Sequence, residues 1–294
     1  MSLLTDFALA DHDDSYLNEQ HPDSELMRGY GAKARRQLTL WGRVVNDGTA
    51  IGDVWPAKAY NSTVAIVRNL PTVAIPILAV VSDNAADAAA GTGARTIQVN
   101  YLDVSGAEHY AQYALNGTNA VTIAAIRDGA AWAANITDCW RVQNSFVLTV
   151  GANGQNVGNI SICDSTNTYT TGIPVTASLI YGYISATHNI SHHGFYTVPA
   201  GYRAQLKLVF ANCVDASATV KYAKFYLGIR NMVTGLMETV ELTGDSSNSG
   251  GSEIIFALEP LIDAMADIRF QAIGLAAATS ELAITAQLIV YPKV

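Results

Sequence analysis

The stretch Ala90–Thr122, AGTGARTIQVNYLDVSGAEHYAQYALNGTNAVT, decides the fold class of this chain. Two extended runs, Arg95–Leu102 and Ala107–Leu115, flank the turn Asp103–Gly106, and the first run alternates apolar with polar side chains. A third run, Ala120–Ile126, follows a second turn that contains Asn and Gly. Alternation with a period of two, interrupted by turns of this composition, predicts antiparallel β-strands.

Most of the remaining chain has the same character. Further strands are predicted over Ser62–Arg68, Ile75–Val81, Ser145–Val150, Val157–Cys163, Arg203–Asn212, Ala218–Arg230, Thr234–Leu242, Glu253–Leu258, Asp267–Ile273 and Leu282–Tyr291. We expect Ser145–Val150 to form a hairpin with Val157–Cys163, and Asp267–Ile273 to form one with Leu282–Tyr291. Ala130–Ile136 is interpreted as a short helix or a loop. Short, evenly spaced strands without a long amphipathic helix predict an all-β fold of one or two antiparallel β-sandwich or jelly-roll units.

Changes in composition suggest four segments. Residues 1–37 are acidic and lack a strand pattern, which predicts an extended N-terminal arm; an arm laid over a neighbouring subunit and a disordered terminus both fit. A β-sandwich unit is predicted over 38–165 and a connector over 166–192, since Asp164–Gly172 is polar and rich in turn residues. A second sandwich or jelly-roll unit is predicted over 193–294.

Charge and composition exclude one class of partner. The net charge is −8, and the densest basic group, Lys33–Arg36, is short. Binding to nucleic-acid phosphates requires clustered Lys and Arg, so we expect no nucleic acid as a partner.

Only 14% of residues are charged while 50% are hydrophobic. Repeated subunit contacts and a neutral Ala/Thr/Gly-rich surface both explain this composition.

The cysteines and the N-terminal sequence bear on location. Cys139, Cys163 and Cys213 are far apart and lack metal-ligand spacing, which favours free, buried thiols in a reducing cytoplasm. The first residues lack the pattern of a secretory signal, and no run has the apolar length of a membrane helix. We therefore expect synthesis in a cytoplasm and no membrane partner.

The sequence carries no recognised catalytic motif. The chain contains neither a GxSxG nucleophile turn nor a GxxxxGK[ST] phosphate loop. Glycosidases use two carboxylates about 5–10 Å apart. Glu253, Glu259, Asp263 and Asp267 crowd together in sequence, but that spacing does not predict pairing in space.

The histidines are a second candidate. His188, His192 and His193 could suggest metal or cupin-like chemistry. In an extended segment, however, His192 and His193 point to opposite faces, so at most one of them can join His188. Surface or intersubunit histidines are the ordinary alternative. His12 and His21, which lie among carboxylates in the arm, are not predicted to bind metal.

Tyrosines are abundant around the predicted connector. An exposed aromatic band there could bind glycans or protein partners, and a buried one would be core. The residues concerned are Tyr169, Tyr181, Tyr183, Tyr196 and Tyr202.

Three segments resemble structural proteins of tailed bacteriophages. Asn84–Ile97, with the following YLDVSG and LNGTNAV, is similar to a phage pattern in which D-A-GTGAR-T precedes GLD-G- and LNGT-PV. Tyr196–Tyr202 (YTVPAGY) and Asp267–Ala272 (DIRFQA) resemble segments of a C-terminal β-sandwich in those proteins. The resemblance covers about residues 84–294. It departs at Tyr101, where Gly or Val is usual, and in the acidic arm.

The resemblance implies a virion structural protein of a tailed double-stranded DNA phage, assembled in the host bacterial cytoplasm. We expect a capsid decoration or cement protein, or a head-attached fibre or neck protein. Its partners would be major capsid or neck and tail proteins and further copies of itself, with a trimer favoured. The alternative is a tail or baseplate protein that binds host glycan through loops such as Gly244–Ser252. We expect no enzymatic activity and assign no catalytic, cofactor-binding or metal-binding residue, although a β-sandwich hydrolase remains an alternative class.

Overall fold

A computed structural model describes residues 36–46, 51–55, 70–214, 223–231, 237–244, 252–255, 261–274 and 280–293. The first twelve strands are β1 Arg36–Asn46, β2 Gly52–Asp53, β3 Leu78–Ser82, β4 Ala94–Asp103, β5 Glu108–Ala114, β6 Ile123–Arg127, β7 Ala130–Asn135, β8 Cys139–Val150, β9 Ile160–Asp164, β10 Tyr169–Thr170, β11 Ile173–Pro174 and β12 Ile180–Ile184. The remainder are β13 Phe195–Thr197, β14 Tyr202–Val214, β15 Ala223–Asn231, β16 Met237–Gly244, β17 Ser252–Ile255, β18 Leu261–Ile262, β19 Ala266–Gly274 and β20 Ser280–Pro292. A single 3₁₀ turn, Ala177–Leu179, interrupts the described strands, so the all-β prediction is confirmed.

Sandwich 1 packs a five-stranded sheet, β7-β6-β5-β4-β8, against a three-stranded sheet, β12-β9-β3. The predicted hairpin is present, because β4 pairs with β5 from Thr96 opposite Ala114 to Leu102 opposite Glu108. Alternation along β4 turns Ile97, Val99 and Tyr101 inward, where they are fully buried with residues of the facing sheet. Removing this apolar surface from water supplies the main stabilisation of the unit.

Sandwich 2 combines strands from both ends of the described chain. One sheet has the order β1-β20-β14-β17, with β18 also paired to β14, and the other has the order β13-β19-β15-β16, with β2 paired to β19. Side chains such as Leu206, Phe270 and Leu288 fill the space between the sheets. Trp41 on β1 lies on the outer face of this sandwich and is 50% exposed.

The two expected hairpins outside Ala90–Thr122 were wrong. After β8, which pairs with β4, the chain crosses to the facing sheet, where β9 pairs with β3 and β12. Likewise β19 pairs with β13 and β15, whereas β20 pairs with β1 and β14 in the opposite sheet. Ala130–Ile136, expected to be a helix or loop, contains the exposed strand β7.

The predicted segment boundaries remain predictions, and residues 1–35 of the proposed arm lie outside the described ranges. Two strand pairings differ from the grouping that those boundaries imply. Strand β1 pairs along its length with β20, and β12, from the predicted connector, pairs with β9. Both pairings join residues that are distant in sequence, which local patterns do not encode.

A buried ion pair connects the two sandwiches. Arg141 of β8 donates from Nε and Nη2 to the two carboxylate oxygens of Asp267 on β19, each over 3.1 Å, and both side chains are 1% exposed. Thr197 also donates from its hydroxyl to Asp267, and its own N–H donates to the side-chain oxygen of Gln143. A bidentate pair with these supporting bonds fixes the relative position of β8, β13 and β19.

Cys139 and Cys163 are buried thiols outside any disulfide, as expected, whereas the side chain of Cys213 is not among those described. No helix in the described ranges has the length and apolar character needed to cross a membrane.

Candidate functional site

Asp87 organises the loop that carries the phage-like motif. It is fully buried, and its Oδ1 accepts hydrogen bonds from the backbone N–H groups of Ala94 and Val157 at 2.8 and 2.9 Å. Its Oδ2 accepts from the N–H of Gly158 and the hydroxyl of Ser82, both at 2.7 Å. One carboxylate thus joins the loop before β4 to the crossover between β8 and β9.

The glycines of the same motif allow this close approach. A Cβ on Gly93 would lie 2.1 Å from Oδ1 of Asp87, and a Cβ on Gly91 would lie 2.1 Å from the carbonyl oxygen of Ala86. Any larger residue would displace backbone or the buried carboxylate. The motif therefore has a structural explanation, and its polar side chain Asp87 is fully engaged.

The three predicted histidines separate as their alternation required. The rings of His188 and His192 meet edge to face at 5.1 Å between centroids, and Trp41 stacks on His192 at 6.1 Å. His193 lies on the other side, 4% exposed, where its Nε2 is 2.9 Å from the backbone nitrogen of Tyr183. Burial, then His188, then Arg43 lower the pKa of His192. The geometry does not bring all three imidazoles to one point.

The carboxylates that crowd together in sequence have different partners in the part that the structure describes. Asp267 is held by Arg141, and the side chain of Asp263 is more than half exposed, 3.5 Å from Arg203. The side chain of Glu253 is not described, and Glu259 lies outside the described residues. Since Asp267 is shielded in an ion pair, it is poorly placed to serve as a hydrolytic acid or base.

The tyrosine band is mostly core. Tyr181, Tyr183 and Tyr196 are at most 5% exposed, whereas Tyr169 and Tyr202 are half-buried. Burial raises the pKa of Tyr181 to about 12, and Asp164 contributes in the same direction. The band as a whole therefore offers no continuous exposed aromatic surface.

A cleft of about 440 Å³ opens where β1 approaches β4, β5 and β8. Its lining combines amides, phenols and charged groups: Arg36, Leu38, Asn100, Tyr101, Glu108, His109, Tyr110, Asp128, Gln143, Asn144 and Tyr196. Arg36 and Glu108 form an ion pair across it. The polar side chains of this lining can donate hydrogen bonds to a polyhydroxylated ligand and accept hydrogen bonds from it.

A compact cluster that the sequence did not reveal borders this cleft. His109 of β5 lies between two carboxylates, with Nδ1 2.7 Å from Oδ2 of Asp128 and Nε2 3.2 Å from Oδ2 of Asp103. Asp138, which precedes β8, completes a group whose ligand-type atoms, one each from Asp103, His109 and Asp138, lie within 4.8 Å of one another. Asp103 and His109 flank the predicted hairpin turn, which is a usable local signal. Nothing local in the sequence associates them with Asp128 or Asp138.

Comparisons with known proteins give little further information. No family model and no curated protein sequence matches the chain. Among solved structures, it is similar to the infectious bursal disease virus VP2 subviral particle, with 10% identity, 89% of this chain and 77% of that chain covered, and a TM-score of 0.22. The Gx strain of the same virus gives 8% identity, the same coverage and a TM-score of 0.20. Superpositions with TM-scores this low do not establish a shared fold or a shared function.

Proposed function

We propose that this chain is a non-enzymatic virion structural protein of a tailed double-stranded DNA phage. Its role would be capsid decoration or cementing, or attachment of a fibre or neck at the head. The observation that carries the proposal is that the phage-like motif coincides with the Asp87 loop. Its buried carboxylate and close-packed glycines hold strands together, as an architectural element of a particle subunit would.

Surface composition supports a role in assembly. The outer face of β1 exposes Gln37, Thr39, Trp41 and Arg43, and on β14 of the same sheet Phe210 is 38% exposed. The exposed aromatic rings on this face can be covered by another protein at low desolvation cost. Further copies of the chain, with a trimer favoured, and major capsid or neck proteins are the proposed partners. Contacts of this kind would stabilise the particle by mass action.

The test is the copy number and position of the chain in purified virions. Quantitative gel staining against the major capsid protein, with electron microscopy of labelled chain, should show many copies on the head or a ring at the neck. A few copies confined to the tail tip would contradict the proposal.

The N-terminal segment can be tested separately. Deleting residues 1–35 leaves β1 intact, because that strand begins at Arg36. We expect the truncated chain to keep its far-ultraviolet circular dichroism but to fail to join particles. Normal incorporation would refute an assembly role for the segment.

A tail or baseplate receptor-binding protein is the second candidate, and the cleft beside β1 favours it. Asn100 and Asn144 offer amides, and Tyr110 offers a half-buried ring, the groups that bind sugar hydroxyls and sugar faces. Purified protein should then bind host cells or a glycan array, and Asn144→Ala should weaken that binding. Absence of binding at micromolar concentration would exclude this role.

A further inference from the structure

We propose that Asp103, His109 and Asp138 form a binding site for one divalent first-row transition-metal ion, of the Zn²⁺ or Mn²⁺ class. One atom from each side chain lies within 4.8 Å of the others, all three residues are half-buried, and His109 also lines the solvent-accessible cleft. One imidazole nitrogen with two carboxylate oxygens suits these ions, since imidazole favours Zn²⁺ and its neighbours and carboxylate favours harder ions such as Mn²⁺. The site goes beyond the proposed function, which needs no metal.

The two closest ligand atoms are already at the required spacing. Nε2 of His109 and Oδ2 of Asp103 are 3.2 Å apart. Two ligands about 2.1 Å from a tetrahedral Zn²⁺ are separated by about 3.4 Å. A carboxylate oxygen of Asp138 lies within 4.8 Å of both atoms, and solvent can complete the coordination.

Asp128 prepares the imidazole as a ligand. Its Oδ2 accepts from Nδ1 of His109 at 2.7 Å, while its Oδ1 accepts from the N–H of Tyr110 at 2.9 Å. A metal-binding histidine commonly donates its other ring nitrogen to a carboxylate in this way, which fixes the tautomer and directs the free lone pair at the ion. With Nδ1 protonated, the Nε2 lone pair faces an oxygen of Asp103. That contact is favourable only with a positive charge between them, either a proton or a metal ion.

The surrounding charges also favour a cation. Asp103, Asp128 and Asp138 bring three carboxylates to the single imidazole of His109.

Arg127 is the cation that already neutralises part of this charge. It donates to Asp138 and lies 3.6 Å from Asp128, and it packs over Tyr101, whose hydroxyl is 3.4 Å from Asp138. One guanidinium against three carboxylates leaves the cluster negative whenever His109 is neutral. A divalent ion would remove that excess.

A separate observation points to the same place. The side chain of Tyr113 is fully buried, and its hydroxyl has no hydrogen-bond partner within the described residues. Tyr113 lies on the same face of β5 as His109, because residues 109, 111 and 113 alternate with those on the other face. An unpaired phenol on the face that carries a proposed ligand is a polar group that an ordered water can satisfy.

The position of the site defines what the ion would do. It would join the turn between β4 and β5 to the segment before β8. The same turn touches sandwich 2, because the carbonyl oxygen of Gly106 accepts from the N–H of Ala200 at 2.9 Å. Metal binding would therefore stabilise the contact between the two sandwiches, since an ion that binds the folded chain raises its stability.

The test is calorimetric titration of the untagged full chain, after dialysis against a chelator, with ZnCl₂ and MnCl₂, and with CaCl₂ and MgCl₂ for comparison. We expect one equivalent of Zn²⁺ or Mn²⁺ to bind and the melting temperature to rise with added metal. His109→Gln and Asp138→Asn should weaken binding at least about tenfold. Asp128→Asn should weaken it about tenfold, because Asp128 orients the imidazole of His109. His188→Gln is the matched control, because it removes a histidine from the other imidazole pair and should leave binding unchanged.

Circular dichroism of each variant establishes that it is folded before titration. If His109→Gln loses its fold, Asp138→Asn and Asp128→Asn carry the test. Binding that survives these substitutions, or that is lost in His188→Gln, would overturn the assignment. Tighter binding of Ca²⁺ or Mg²⁺, or no binding of Zn²⁺ and Mn²⁺ by the folded wild type, would do the same.

Discussion

Substitution of Asp87 is the most direct test of the motif loop. In Asp87→Ala, the N–H groups of Ala94, Val157 and Gly158 lose their acceptor in a fully buried site. An unsatisfied buried donor costs about 1–3 kcal/mol, so the loss should be about 3 kcal/mol or more, depending on how much water enters. In Asp87→Asn, the amide oxygen can replace Oδ1, but the amide nitrogen then faces the N–H of Gly158. We expect a loss of about 2–3 kcal/mol for this variant.

Two milder variants complete the series. Ser82→Ala removes one donor to the carboxylate and should cost about 1 kcal/mol. Asp263→Asn makes the same chemical change as Asp87→Asn at a side chain that is more than half exposed, and should stay within about 0.5 kcal/mol of wild type. The assay is urea denaturation followed by fluorescence and circular dichroism, at one protein concentration and with the oligomeric state checked by light scattering. If Asp87→Asn and Asp263→Asn are equally stable, the carboxylate does not hold the loop, and the structural explanation of the motif fails.

Three further predictions follow from buried or charged groups. Arg141→Met should lower the free energy of unfolding by about 3 kcal/mol, because it leaves the buried charge of Asp267 without its partner. The double variant with Asp267→Leu should lose less free energy of unfolding than the sum of the two single losses. Additive losses in this double-mutant cycle would contradict the pairing. Ionised Asp103 should stabilise the folded protein fully above pH 3.8, the usual pKa of this carboxyl, and this stabilisation should disappear as pH falls through the lowered folded pKa. Denaturation of wild type and Asp103→Asn at pH 7, 5, 4 and 3 measures it. An equal difference in stability between the two proteins at pH 7 and pH 3 would refute the prediction. Burial raises the pKa of Cys163 to about 12, so at pH 8 only about 10⁻⁴ of this thiol is ionised and iodoacetamide should label it only after unfolding; rapid labelling in the native protein, mapped by mass spectrometry, would count against the buried position.

Local patterns in the sequence were sufficient for individual strands and for one hairpin. Ile97, Val99 and Tyr101 alternate with polar residues before a four-residue turn, and the observed pairing of β4 with β5 follows from this directly. The opposite orientations of His192 and His193 also follow from alternation alone. These features depend on residues that are close together in the chain.

The wrong hairpins have a common physical cause. In a sandwich, a strand can be followed either by its neighbour in the same sheet or by a strand in the facing sheet, and both connections begin with similar turn residues. Gly151 and Asn153 mark a turn after β8, but the chain then crosses to the other sheet. The crossover is stabilised by Asp87, which lies far from it in sequence.

The candidate metal site could not be predicted from local sequence patterns either, because most of its residues are far apart in the chain. His109 and Asp103 are brought together by the hairpin, whereas Asp128 reaches His109 from a turn in which it has a positive φ of 48°. That conformation is uncommon outside glycine and is not apparent from an isolated Asp-Gly pair. Asp138 joins only when β8 pairs with β4 on the opposite side from β5. The site thus needs the β4–β5 hairpin, the turn at Asp128 and the pairing of β8 with β4, and of these the hairpin is local in sequence.

The pairing of β1 with β20 has a consequence for synthesis on the ribosome. Arg36 pairs with Val290, so β1 emerges early and waits for a partner that is translated near the end of the described chain. Sandwich 1 draws its strands from Leu78 to Ile184 and can close while the remainder is still being made. During that interval β1 presents an unpaired edge and an exposed indole to other nascent chains. Slow translation or a shortage of chaperones should therefore affect sandwich 2 first, and aggregates formed in expression hosts should contain a folded sandwich 1.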